Sequence, residues 1–186
     1  ADIDLAGYSN WTKIGAYATQ FVGSYDGAGF EIKNLIIQDS AAGCGLFAYL
    51  GVGGHLSNIH LRNVSIAGYQ RTGSLVGVNY GTIERCSATG SVSATSSYCG
   101  GLVGVNESGG NIFESWCICD VTSSYSYGYL GGFTARNYGV ITDCYAQGSV
   151  TGANELGGFL GRNFATIERC YAAVQVIASN PMYVGG

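Results

Sequence analysis

The sequence predicts an all-β fold: a parallel β-helix, or solenoid, of about six coils with roughly 26–31 residues per coil. Three observations predict it. The phrase Gly100-Gly101-Leu102-Val103-Gly104-Val105-Asn106 recurs as residues 73–79, 131–137 and 157–163. The asparagines that close it, Asn79, Asn106, Asn137 and Asn163, are 27, 31 and 26 residues apart, a spacing typical of stacked repeats. No segment carries a helical hydrophobic period, whereas short alternating segments bounded by glycine recur throughout.

Composition agrees with a rod of this kind. The chain of 186 residues has 31 glycines, one proline and only 11% charged side chains, while hydrophobic residues at 47% are ample for a core. A continuous repeat argues for one elongated domain over residues 1–186. The net charge of −4, with eight Lys plus Arg spread singly, gives no basic stripe for nucleic acid. No apolar run approaches a membrane span, so membrane insertion of this segment is not expected.

The elements follow in order. Residues 1–44 form lead-in coils. Asp2-Ile3-Asp4-Leu5 and Trp11-Thr12-Lys13-Ile14-Gly15 read as short strands, and the Asp26-Gly27 turn splits residues 21–37 into two more. Residues 45–182 are the repeats proper, beginning with the degenerate copy Gly45-Leu46-Phe47-Ala48-Tyr49-Leu50. Each coil is expected to hold three strands. The first ends at the Gly-x-Asn corner, with Gly77, Gly104 and Gly161 expected at positive φ or in tight packing. The second is Thr82-Ile83-Glu84-Arg85-Cys86-Ser87-Ala88 and its counterparts, and the third is Ser91-Val92-Ser93 and its counterparts. Residues 183–186 read as the start of a further copy. This ending predicts either a fragment or a unit that stacks end to end on itself, because open rungs carry unpaired backbone groups.

Stacking predicts buried columns. Leu46, Leu75, Leu102, Phe133 and Phe159 form one; Ile83, Ile112, Ile141 and Ile167 a second; Ile66, Val92, Val121, Val150 and Val176 a third. The four asparagines form a structural ladder, since an amide both donates and accepts along the stack.

These residues resemble the GLUG-motif family, named for a Gly-Leu-x-Gly core that Gly101-Leu102-Val103-Gly104 matches strictly. Ser74-Leu75-Val76-Gly77 and Gly158-Phe159-Leu160-Gly161 match with one change each, and Ala48 and Ala135 depart at glycine positions. The resemblance implies a β-solenoid within large bacterial surface proteins, adhesin-like proteins and non-catalytic regions of secreted peptidases among them. It implies an extracellular or cell-surface location and no family-wide catalytic residues.

Four constellations bear on function. Aromatic residues are the most suggestive: Trp116, Tyr145 and Tyr171 form an outward row, and Tyr69, Tyr98, Tyr125, Tyr127, Tyr129 and Tyr183 gather in a loop of variable length. Insertions confined to one edge mark a candidate binding face for a glycan or protein, although the same rings can simply stabilise the sheet. In the charge column, Arg85 lies over Glu114 and Asp143 over Arg169, with Glu84 and Glu168 beside them. Paired carboxylates suit a polysaccharide lyase or glycosidase, and alternating charge on a solvated face is the alternative. Cys86, Cys144 and Cys170 share one column with Ser115, and Cys44 and Cys99 share another; core packing is expected, with a disulfide among Cys99, Cys117 and Cys119 as the alternative. Metal spacing is missing, so no metal or other cofactor is expected. Asn10, Asn63 and Asn106 match glycosylation acceptors. The expected function is therefore a non-enzymatic surface solenoid, a stalk or binding face. The alternatives are an end-to-end structural subunit and a polysaccharide-active enzyme.

Overall fold

The computed structural model describes residues 1–179 and 184–185, and Tyr183 and Gly186 lie outside the described residues. Every strand pairing is parallel, and the pairs assemble into four sheets that run along the rod. A six-stranded sheet collects Ser24–Asp26, His55–Ser57, Thr82–Glu84, Asn111–Phe113, Val140–Thr142 and Thr166–Glu168. We call it the isoleucine sheet, after the column it buries. A long-strand sheet collects, among others, His60–Gly68, Ser87–Ala94, Trp116–Ser123, Tyr145–Gly152 and Tyr171–Ala178. The glycine sheet is Phe47–Leu50, Val76–Asn79, Val103–Asn106, Thr134–Asn137 and Leu160–Asn163.

The fourth sheet departs from the three-strand expectation. Two-residue strands Cys99–Gly100, Leu130–Gly131, Leu156–Gly157 and Val184–Gly185 pair with one another, the first three just before glycine strands Val103–Asn106, Thr134–Asn137 and Leu160–Asn163. The double glycine allows it, because the chain doubles back so tightly that a Cβ on Gly100 would lie 2.1 Å from the Val103 carbonyl oxygen. The same contact would be 2.0 Å for Gly131 with Thr134 and 1.8 Å for Gly157 with Leu160.

The expected second strand is also cut differently. Arg85, Glu114, Asp143 and Arg169 adopt φ of 50°, 47°, 55° and 50°, as Asn58 does at 52°. This left-handed column turns the chain between the isoleucine sheet and the long-strand sheet, at a steric cost of roughly 1–2 kcal/mol for each non-glycine residue. The residue after each of the four charged corners caps the turn, whereas Ile59, after Asn58, has no donor. Ser115 Oγ donates to the Phe113 carbonyl at 2.7 Å, and Cys86, Cys144 and Cys170 donate S–H to the carbonyls of Glu84, Thr142 and Glu168 at 3.3, 3.1 and 3.2 Å. A small side chain with one donor is what the position after a charged corner requires, which is why serine and cysteine exchange there.

Gly77, Gly104 and Gly161 are absent from the positive-φ residues, so close packing alone explains them. A Cβ on Gly104 would lie 2.5 Å from the Arg71 carbonyl carbon. The three apolar columns stack in the expected register. The isoleucine column extends down to Leu56 and Tyr25. Leu75, Leu102, Phe133, Ile83, Ile112, Ile141, Val92, Val121 and Val150 are all fully buried, whereas Ile167, expected in the buried column, is 36% exposed because it lies on the edge strand of its sheet, and Phe159 and Val176 are half-buried. No coil closes a core alone; adjacent coils supply it.

The asparagine ladder is continuous. Asn79 Nδ2 donates to Asn106 Oδ1 at 2.7 Å, Asn106 to Asn137 at 2.8 Å, and Asn137 to Asn163 at 2.8 Å. Asn106 is fully buried in this ladder and so is no accessible glycosylation acceptor. All seven cysteines are free thiols, so the alternative of a disulfide among Cys99, Cys117 and Cys119 is not realised. Burial pushes the Cys86 thiol up to about 12 and Cys44 to about 11, which suppresses the reactive thiolate.

Candidate functional site

The coil geometry divides the aromatic residues into three groups. The outward row of the long-strand sheet runs His60, Ser87, Trp116, Tyr145, Tyr171 in register. Trp116 stacks on Tyr145 with centroids 5.6 Å apart and planes 4° from parallel, and Tyr145 on Tyr171 at 5.1 Å and 6°. The Arg62 guanidinium covers Trp116 at 5.1 Å and is itself held by Glu31 Oε1 at 2.9 Å. Stacked this way, the inner rings present edges and hydroxyls to solvent rather than faces.

The second group lies on the longest connection between a long strand and a two-residue strand, from Trp116–Ser123 to Leu130–Gly131. Tyr125 and Tyr127 meet edge to face at 6.1 Å and are 38% and 73% exposed. The loop that carries them is tied within its own coil, where Ser123 Oγ accepts from the Tyr125 N–H at 3.1 Å, and to the next, where Asn154 Nδ2 donates to the Ser126 carbonyl at 2.6 Å. Tyr69 is exposed but joins neither partner.

The third group joins residues that the sequence reading named with residues that it missed. Tyr98 and Tyr129 stack at 5.4 Å and 12°, at the corner before the two-residue strands. Beside them the glycine-strand column that reads Tyr49, Val78, Val105 changes to Arg136 and Arg162. Arg136 places its guanidinium 5.0 Å from the Tyr98 ring and 4.8 Å from Tyr138, and its Nη1 donates to Tyr98 Oη at 2.8 Å. Arg162 lies 5.6 Å from Tyr129 and 5.0 Å from Phe164, and donates to Tyr129 Oη at 3.1 Å. Tyr138 and Phe164 stack on the far side at 4.8 Å. The available signal was the exchange of valine for arginine at a fixed position of the repeat.

The charge column has the expected order but a specific pairing. Arg169 Nε and Nη2 donate to both oxygens of Asp143 at 2.6 and 2.8 Å. Arg85 hydrogen-bonds Glu84 at 2.6 Å and reaches Glu114 only at 3.9 Å. The Arg169 hydrogen bonds lower the Asp143 pKa below its ordinary 3.8, which favours a permanent anion over a proton donor. Because the folded value is the lower one, the pair stabilises fully above the ordinary value, and the effect fades as pH falls through the lowered one. In an NMR titration the Asp143 carboxyl should therefore ionise below 3.8 and move back towards it in Arg169→Gln. An unchanged midpoint would show that the pair does not persist in solution. Among the described residues, no three of His, Cys, Asp and Glu come together as metal ligands.

Comparison with known proteins places these features in context. Residues 68–93 and 126–151 match the family described as the GLUG motif. Each match closes on a long strand and takes in a glycine strand with its Asn, Asn79 or Asn137, and the left-handed corner at Arg85 or Asp143; the second also takes in the double glycine Gly131-Gly132. The chain is 44% identical over 95 residues to halomucin of Haloquadratum walsbyi; the aligned segment is 50% of this chain and spans only 1% of that protein's length. A solved structure of a Bacteroides ovatus protein, described as a candidate immunoglobulin A1 protease, covers all of this chain with a TM-score of 0.66. The match takes in 75% of that protein, and at 18% identity the likeness is one of fold.

Proposed function

We propose that this GLUG-motif solenoid is a non-enzymatic, surface-displayed rod that binds a glycan or protein through the tyrosine loop. The observation that carries the reading is the pair Tyr125 and Tyr127. They are exposed on the longest connection between a long strand and a two-residue strand, yet the loop's backbone is tied to Ser123 of its own coil and to Asn154 of the next. Tyrosines held this way offer contact area with few rotatable bonds to freeze, and the neighbouring serines add adaptable hydrogen bonds. A location outside the cell is supported by the match to halomucin, a protein named as a mucin.

The rival reading is an enzyme on polysaccharide or, following the fold neighbour's name, on protein. Of the carboxylates that would serve the first, Asp143 is held bidentately by Arg169. The neighbour's likeness extends to fold alone.

Binding to a glycan array and to extracellular-matrix proteins tests the proposal. The double substitution Tyr125→Ala/Tyr127→Ala should weaken any captured ligand by about tenfold or more, with the thermal midpoint unchanged, since both rings project to solvent. Equal binding by the variant would remove the loop from the function.

A further inference from the structure

We infer that the Arg136–Arg162 column is a second binding site, for a linear polymer of anionic sugars, distinct from the tyrosine loop. The argument begins with charge pairing. The chain holds twelve carboxylates against eight Lys plus Arg, so cations should readily find partners. Lys13, Lys33, Arg62, Arg85 and Arg169 each lie within 3.2 Å of a carboxylate. Among the described residues Arg71 and Arg136 have no carboxylate within 4.0 Å, and Arg162 reaches only Glu155, at 4.0 Å. These three occupy one side of the rod: Arg71 stacks under Tyr98 in the corner column, and Arg136 is in register with Arg162 on the next rung.

Like charges directly opposite in a ladder repel; Lys33 also lies opposite Arg62, but there Glu31 bridges both cations at 3.2 and 2.9 Å. Here the chain sets arginine over arginine at the rung spacing of about 4.8 Å. The tyrosine hydroxyls fix both guanidinium groups through one nitrogen each, and four aromatic rings flank them. The Arg162 side chain remains 47% exposed, so its other N–H groups face outward in the planar fork that takes a carboxylate or sulfate in two parallel bonds. The Arg136 Nε is shielded and unpartnered, which adds uncompensated positive charge beneath the same spot. A guanidinium on successive rungs matches a polymer that carries an anion on successive units. Phe164, half exposed at the end of its stack, offers an apolar surface that suits a sugar ring better than an acidic peptide.

The site is tested by calorimetric titration of the protein with an oligogalacturonate, with dextran sulfate, with neutral dextran and with poly-L-glutamate. Arg162→Gln, Arg71→Gln, Arg62→Gln and Tyr125→Ala/Tyr127→Ala are run alongside. The expected result is binding of one or both acidic sugars that weakens as salt is raised and falls about tenfold or more in Arg162→Gln. A smaller loss is expected in Arg71→Gln and none in Arg62→Gln, whose arginine lies on the long-strand sheet. The oligogalacturonate and dextran sulfate distinguish carboxylate from sulfate recognition. Retained binding in the tyrosine double variant separates this site from the loop, so either can fail alone. The inference is overturned by no binding of either acidic sugar, by equal binding of neutral dextran, by tighter binding of poly-L-glutamate, or by a loss in Arg62→Gln that matches Arg162→Gln.

Discussion

Asn106→Ala should lower the thermal midpoint by roughly 10 °C, a large effect for one polar side chain in a protein of this size. Asn106 is fully buried and makes ladder bonds in both directions, to Asn79 and to Asn137. It also donates to the Gly110 carbonyl at 3.2 Å. Alanine removes the acceptor that holds the Asn79 amide, and an orphaned buried donor together with the lost bonds costs about 3 kcal/mol or more. Asn106→Asp should be worse, because a carboxylate accepts from Asn79 but has no proton to offer Asn137 Oδ1. Asn163→Ala provides the contrast, since Asn163 is exposed and the Asn137 amide keeps the Gly139 carbonyl at 3.1 Å. Thermal denaturation followed by circular dichroism measures all three. Equal loss for Asn106→Ala and Asn163→Ala would mean that burial of the ladder contributes nothing.

Gly131→Ala is expected to abolish folding rather than merely weaken it. The new methyl would stand 2.0 Å from the Thr134 carbonyl oxygen and 2.8 Å from the Gly161 backbone nitrogen. Both obstacles are backbone, so no side-chain rotation relieves them, and Thr134 and Gly161 already belong to paired strands. The turn would have to open, separating Leu130–Gly131 from its neighbours on both sides. Gly7→Ala is the control: nothing lies within 4 Å of its Cβ position, and a neutral effect is expected there. Yield of soluble protein and the far-ultraviolet spectrum decide the matter. A native spectrum for Gly131→Ala would show that the double-glycine turn tolerates a side chain.

How far the sequence reached follows from these same residues. Repetition at fixed spacing identified the solenoid, its buried columns and its asparagine ladder, because each coil meets the same steric and hydrogen-bonding requirements as the one below it. Aligning the repeats was therefore equivalent to reading the register. The left-handed corner escaped that reading: Asn58, Arg85, Glu114, Asp143 and Arg169 have no residue type in common, and only the fold imposes their conformation. The serine–cysteine exchange after the corner was visible as a substitution, but its reason, a donor for the carbonyl two residues back, appears only once the turn is built.

The candidate site divides along the same line. Tyr125 and Tyr127 were legible as aromatics in a variable loop. Arg136 and Arg162 were not, since they lie inside the motif at a position filled by Val78 and Val105 in the coils below. The sequence by itself determined the coil, its period and what each column buries, because those are local, repeated demands on backbone and core. Only the tertiary structure decided which aromatics stack on one another and which stay exposed. It alone brought Tyr98 to Arg136 across a separation of 38 residues. Contacts between one coil's corner and the next coil's strand depend on how the turns fold back, and no single repeat encodes that.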